Sequence, residues 1–206
     1  MYTHAVSFKD LEESTKYTYI ELSYNIWDDY AHRMIKFPPV GRLYADERAC
    51  EHWDDRGRSE ISQIFVTADD GGIRTIQFQY IDENGKLELS RPYGLASGPQ
   101  SGFGRSKLLC HTQVELEHPR EYLTEISGLA EMDARVGYPT IKAIRFTTNL
   151  KEYGPYGQPV KTVSFRFELG KSRQFGGFYG SYSAHGLHRI GVYLKPKTLG
   201  VKVEKA

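Results

Sequence analysis

Long apolar runs are missing from this 206-residue sequence; none exceeds a few residues. A membrane-spanning helix needs ~20 predominantly apolar residues, so membrane insertion is not expected. Cysteine is scarce. Cys50 and Cys110 allow at most one disulfide, which excludes a disulfide scaffold and makes a reducing compartment the simpler expectation. An excess of charge of one sign is missing too. Lys plus Arg is 27 and Asp plus Glu is 26, a net charge of +1, which excludes a strongly charge-driven binder of nucleic acid or membrane surface. Asp10, Glu12 and Glu13 stand where a signal peptide would need an apolar stretch. None of Asn25, Asn84 and Asn149 opens an Asn-x-Ser/Thr site. Together these absences give the expectation of a cytoplasmic protein. Long amphipathic helical stretches are nearly absent as well, which argues against a helical fold.

What is present leans to β. Tyr is 15, Phe is 10, and Gly is 20 against 9 Pro. Aromatic and β-branched residues suit pleated, half-buried surfaces, and frequent Gly suits tight turns. At ~100–200 residues per domain, the chain holds one domain, or one with an appendage. Residues 1–33 read differently from the rest, with a short helix expected over 8–16 and strand-like alternation over Tyr17–Ser23. A loop-like stretch follows Gly41 as far as Trp53-Asp54-Asp55. From residue 61 strand signals are dense. Strands are expected over 61–67, 73–81, 86–90, 108–117, 121–127, 141–148, 162–169, 174–182 and 187–194. Asp70-Gly71 and Asn84-Gly85 mark turns between them. Loops are expected over 91–107, 128–140 (with one helical turn around Glu131) and 151–160.

One pattern recurs three times. Ile73-Arg-Thr-Ile-Gln-Phe, Ile141-Lys-Ala-Ile-Arg-Phe and Leu187-His-Arg-Ile-Gly-Val each run apolar, basic or His, any, Ile, any, aromatic or Val. The segments before the second and third copies also match. This points to three β units of about four strands, closing around a shared core and burying their edges.

Enzyme-like constellations are weak. Cys110 and His111 are adjacent, so on a strand they face opposite sides and form no dyad. Gly170-Lys171-Ser172 lacks the helix that a phosphate loop feeds. His185 and His188 have no cluster of Cys or carboxylates beside them for a metal. Glu115 and Glu117 share one strand face, where solvated carboxylates are the simpler reading than a glycosidase pair. No catalytic residue, metal or cofactor is expected. Three Tyr/Gly loops, at 91–94, 153–157 and 176–180, could present aromatic faces to sugars or could simply make tight turns.

Several of these stretches also resemble plant jacalin-related lectin domains. Trp53-Asp-Asp, Ile61-Ser-Gln-Ile-Phe-Val and Gly72–Tyr80 resemble the family's start. Glu121–Gly128 and Ile144–Asn149 resemble its middle, and Tyr153–Gly157 with Phe175–Leu194 its end. The likeness spans about 34–196, leaving 1–33 as an N-terminal extension and 197–206 as a basic tail. It implies an all-β, β-prism I fold: three four-stranded Greek-key sheets in pseudo-threefold arrangement. In the family, a Gly-rich loop near the domain start and a Gly-x-x-x-Asp loop before the last strand bind sugar. Those positions fall on Gly41 and on Ala184, His185, Gly186, Leu187 and His188. His188 stands where the carboxylate would be and Ala184 where the glycine would be. A carboxylate accepts hydrogen bonds from two sugar hydroxyls; a neutral imidazole has one acceptor and an imidazolium none. Losing such an acceptor costs ~2–4 kcal/mol, enough to abolish a millimolar-class affinity.

The resemblance extends to family members that restrict long-distance movement of potyviruses through phloem. It implies a non-enzymatic, lectin-like antiviral factor with an altered sugar site and weak or lost binding of mannose-type glycans. It also implies protein partners in restriction, a homo-oligomer, and residence in the cytoplasm, including phloem sieve elements. Two alternatives stand beside it: a working mannose/glucose-type lectin, and a scaffold for defence-related β-glucosidases.

Overall fold

The structure is a computed structural model that describes residues 34–40, 50–58, 60–82, 84–94, 110–133, 138–158, 163–171 and 175–195. The expected helix over 8–16, the alternation over 17–23, Gly41, and the tail from 197 lie outside the described residues. Among the described residues there are thirteen strands and no helix. In chain order they are β1 (Ile35–Lys36), β2 (Glu51–Asp54), β3 (Glu60–Asp69), β4 (Gly72–Ile81), β5 (Leu87–Leu89), β6 (Tyr93–Gly94), β7 (Cys110–Glu115), β8 (Leu123–Asp133), β9 (Tyr138–Thr148), β10 (Glu152–Gly157), β11 (Val163–Glu168), β12 (Phe175–Ser183) and β13 (Gly186–Leu194).

They form three antiparallel sheets, ordered β5-β4-β3-β7, β10-β9-β8-β11 and β1-β13-β12-β2. In the first two, three consecutive strands are followed by a fourth that returns beside the first, which is a Greek key. The third sheet borrows β1 and β2 from the other end of the chain. The expected β-prism therefore forms, with one departure from four strands per sheet. The outer edge of β4 carries two short pieces, β5 and β6. The break comes at Ser90, where its N–H bonds to Phe78 O (2.8 Å) and its carbonyl accepts Gln77 Nε2 (2.7 Å).

Four sequence expectations change. Residues 93–94, read as loop, pair with Thr75 and Ile76 of β4, where Tyr93 is buried against Trp53. Residues 51–54, read as loop, pair with β12, because Trp53 is buried against Gly180 of that strand. Residues 128–133 and 138–140, read as loop with a helical turn, extend the β8–β9 hairpin, with Gly128 leaving room for the Phe165 ring. Residues 152–157, read as loop for their Gly and Pro, form an edge strand with a register break between Tyr153 and Tyr156. An edge strand tolerates Pro155 because its missing N–H can face away from the sheet.

The threefold repeat accounts for the core. Ile73, Ile141 and Leu187 are at most 1% exposed, as are Ile76, Ile144 and Ile190 and then Phe78, Phe146 and Val192. Their spacing, i, i+3, i+5, does not fit a regular strand, whose side chains alternate with period two. The reason is a β-bulge in each copy. Register shifts leave Arg74, Lys142 and His188 as the extra residue in β4, β9 and β13. A bulge re-aims side chains and tightens the twist. The position read in sequence as "basic or His" is thus the bulge itself.

The three Tyr/Gly loops make turns and core rather than open platforms. Tyr93 is 3% exposed and stacks on Trp53 with ring centroids 4.1 Å apart. Its hydroxyl and that of Tyr80 both bond to Asp55, and burial first, then this carboxylate, holds both phenols well above their ordinary pKa. Phe178 is fully buried and Tyr179 nearly so, while Tyr153 and Tyr156 pack on the core.

Gly157 tests the close packing at the bulges. Its φ is +90°, and a Cβ there would lie 2.2 Å from the Lys142 carbonyl. Gly157→Ala is expected to cost about 2 kcal/mol, seen as a fall of roughly 4–8 °C in Tm. Gly85→Ala is the control: φ is +79° but nothing lies within 4 Å, so it should cost about 1 kcal/mol or less. Equal shifts in the two variants would refute the steric account.

Candidate functional site

The candidate loop is the tip of the β12–β13 hairpin. Ser183 pairs with Gly186 across a two-residue turn, Ala184-His185. The His185 N–H donates to Ser183 Oγ (3.1 Å), closing the turn locally. Gly186, at φ +119°, lies where any Cβ would come within 2.5 Å of the Ile73 carbonyl, so the tip rests directly on the first sheet's bulge.

Arg74 is the strut. Its Nη1 donates to the His185 carbonyl (2.9 Å) and its Nε to Asp69 Oδ2 (2.6 Å). Asp69 Oδ1 in turn accepts the Gly71 N–H at 2.7 Å. Lys142 repeats the arrangement one step round the prism, its Nζ donating to the Gly71 carbonyl (2.9 Å). Each of these bulge cations therefore props the hairpin tip of the neighbouring sheet. His188, the third bulge residue, instead has Nε2 2.7 Å from Ser183 Oγ in its own hairpin.

The structure brings five of the six sequence candidates together. Ala184 and His185 are half-buried at the tip, and Gly186, Leu187 and His188 are buried behind it. Gly41 lies outside the described residues, although its neighbour Val40 bridges to Ile190 beside the loop. His188, which the resemblance sets at the acceptor position of the sugar loop, is 3% exposed, because the bulge turns it inward beside Leu187. Sequence reading missed Arg74, Lys142 and Ser183 as parts of this end of the prism. The signal for the first two was there, since the threefold alignment sets both in register with His188.

What this loop can do chemically is limited by its acceptors. The backbone supplies turn N–H groups, but no carboxylate occupies the bulge. Asp69, the nearest acid in this network, is engaged by Arg74 and by Gly71 N–H. A cleft of about 410 Å³ runs between the first sheet and β10, past Val66, Asp69, Asp70, Cys110 and Tyr156; Asp69 borders it, but none of Ala184, His185, Gly186, Leu187 and His188 lines it. The described residues hold no cluster of three or more His, Cys, Asp or Glu placed for a metal ion. Cys110 and His111 face apart, the first toward Thr112 and the second bonded to Thr67 Oγ1 (3.0 Å).

Comparison with known proteins agrees with the fold and the repeat. The model of the jacalin-like lectin domain matches residues 45–193. Among curated relatives from Arabidopsis thaliana, Protein RESTRICTED TEV MOVEMENT 1 is 40% identical over 172 residues, covering 82% of this chain and 92% of the relative. The Inactive protein RESTRICTED TEV MOVEMENT 1 is also 40% identical, with the same coverage. Jacalin-related lectin 2 is 39% identical over 79% of this chain and 86% of its own. Among solved structures, a mannose-specific jacalin-related lectin from Morus nigra superimposes with TM-score 0.66 at 24% identity, over 83% of this chain and all of that one. Single-chain recombinant jacalin gives 0.64 at 23% identity, over 82% and 98%. Three bulged Greek-key sheets, the loop at the β12–β13 tip and these matches lead to one conclusion: the chain belongs to the jacalin-like lectin family.

Proposed function

We propose that the protein is a non-enzymatic, lectin-like interaction protein. In this reading the family's sugar loop survives as a scaffold while its carboxylate acceptor has been replaced. The observation that carries it is His188: it stands at the acceptor position, is buried, and lies against Ser183 rather than in an open cradle. Relatives named for restricted TEV movement support a role in restricting virus movement, which in this reading is exerted through protein partners. Because one equally similar relative is named inactive, overall identity does not carry the activity, and particular residues must. The same reading expects mannose-type glycans to bind weakly or not at all, self-association, and a cytoplasmic site of action that includes phloem sieve elements. Absence of catalysis is supported by Cys110 and His111 facing apart and by the solvent exposure of Glu115 and Glu117.

A glycan array with the full chain, backed by retention on a mannan column, tests this. The expected result is no signal that free mannose competes away. Clear, competable binding by folded protein would make it a working lectin and would refute the argument from His188.

A further inference from the structure

We propose that Asn84-Gly85 is a self-modification site at which water converts the Asn84 amide to a carboxylate and so loosens β5. This does not depend on the function proposed above. The Gly85 backbone nitrogen loses its proton and attacks Asn84 Cγ, closing a five-membered imide. The side-chain nitrogen leaves as ammonia. Water then opens the ring at either carbonyl. One opening gives an aspartyl residue, and the other an isoaspartyl residue with one extra carbon in the backbone. One water is consumed, one ammonia is released, and nothing is oxidised or reduced. Glycine favours the attack, because it has no Cβ to shield its nitrogen. Asn84, Gly85 and Lys86 are all exposed, so water reaches the site. Nothing lies within 4 Å of where a Gly85 Cβ would stand, which leaves space beside the ring.

Asp82 guards the site. The Gly85 N–H donates to the Asp82 carbonyl (3.0 Å), which occupies the attacking nitrogen. Asp82 Oδ1 accepts from the N–H groups of Asn84 (2.9 Å) and Lys86 (2.8 Å), a local capping that holds the turn. The Asp82 N–H donates to the Lys86 carbonyl (2.9 Å). Asp82 thus grips the turn through its N–H, its carbonyl and its carboxylate, and conversion requires these bonds to open first. Such an opening is local, because β5 has only three residues and two of them are exposed. The product works against the same bonds. It sets a second carboxylate beside that of Asp82, and like charges at one site repel. The isoaspartyl form also lengthens a turn whose ends are fixed by the Asp82–Lys86 bond. β5, held to β4 through Leu87, Glu88 and Leu89, then frays from its Lys86 end.

The test is to incubate the full chain in mildly alkaline buffer and follow the amide-to-acid mass gain by peptide mass spectrometry. The folded chain should convert at Asn84, roughly 5–30-fold more slowly than the same chain unfolded in urea. Asp82→Ala should bring the folded rate to within about threefold of the unfolded one. Asn84→Gln should abolish the gain, because the longer side chain cannot close the five-membered ring. The converted protein carries one more negative charge and separates on an anion exchanger. Its Asp82 and Ser90 amides, which bond across to Lys86 and Phe78, should exchange hydrogen faster than in the parent. If Asp82→Ala fails to fold, the ratio of folded to unfolded rates decides alone. A folded chain that never converts while the unfolded one does overturns the proposal. Equal rates in the two states, an Asp82→Ala rate no faster than wild type, or a converted form with unchanged exchange overturn it as well.

Discussion

Ala184→Gly combined with His188→Asp is expected to turn this protein into a mannose binder. The unmodified chain should show no measurable binding, and the variant should reach a millimolar-class Kd. The bulge places residue 188 behind the hairpin tip whatever its side chain. A carboxylate there would accept from two sugar hydroxyls, each charged hydrogen bond worth ~1.5–3 kcal/mol before losses. A net gain of about 2–4 kcal/mol corresponds to roughly 30–1,000-fold in affinity. Ser183, now 2.7 Å from the imidazole, supplies a hydroxyl that can donate to the new carboxylate and offset part of its desolvation. Titration calorimetry with methyl mannoside reads the outcome, and His188→Ala is the control that should gain nothing. If the folded double variant gives no heat, these two positions are not what disables the loop.

The second large effect is on stability. Glu121→Ala should cost about 3 kcal/mol. Glu121 is fully buried, and its carboxylate accepts from Thr148 Oγ1 (2.8 Å), Tyr153 Oη (3.0 Å) and the Glu117 N–H (3.1 Å), with Lys151 Nζ at 3.8 Å. Truncation removes three hydrogen bonds to a charged acceptor, each worth ~1.5–3 kcal/mol, less whatever water and the second acceptors of Thr148 and Tyr153, the Lys151 and Glu115 carbonyls, recover. Burial by itself would raise the carboxyl pKa. The bonds from Glu117, Thr148 and Tyr153, with the charge of Lys151, outweigh it and hold the pKa below the ordinary glutamate value. A pKa depressed in the folded state contributes stability that is present above the unfolded value, ~4.3, and is lost as pH falls through the folded one. Urea midpoints measured from pH 7 down to about 3 should therefore converge between wild type and Glu121→Gln, the gap being widest at neutral pH. A constant gap across that range would remove the carboxylate's charge from the explanation.

Glu121 also shows where sequence reading stops. In sequence it is one of several acids around a turn, and solvent is the default for such a residue. Only the approach of Thr148 and Tyr153, about thirty positions later, makes it a buried acceptor. The edge strands were misread for a related reason. β2 has only four residues and β10 is interrupted by Gly154 and Pro155, so their strand state comes from the neighbour that each one pairs with, not from local preference.

The repeat, by contrast, is a local property. Apolar residues at i, i+3 and i+5 in three places, Gly and Asx at the turns, and balanced charge were enough to determine an all-β molecule of three like units. Hydrophobic burial requires only that these residues find one another, so the pattern carries the architecture. The position of the candidate loop was legible too, through the resemblance around residues 184–194. Only the tertiary structure decided what that loop is made of. Whether His188 faced solvent or the interior depended on a bulge, and a bulge is defined by the register of two strands, not by either one alone. Arg74, held by Asp69, reaches the loop tip from a different sheet, more than a hundred residues away in the chain. The prism brings Arg74 there because closing the three sheets sets the β4 bulge against the β12–β13 tip, a contact that exists only once the sheets are packed together.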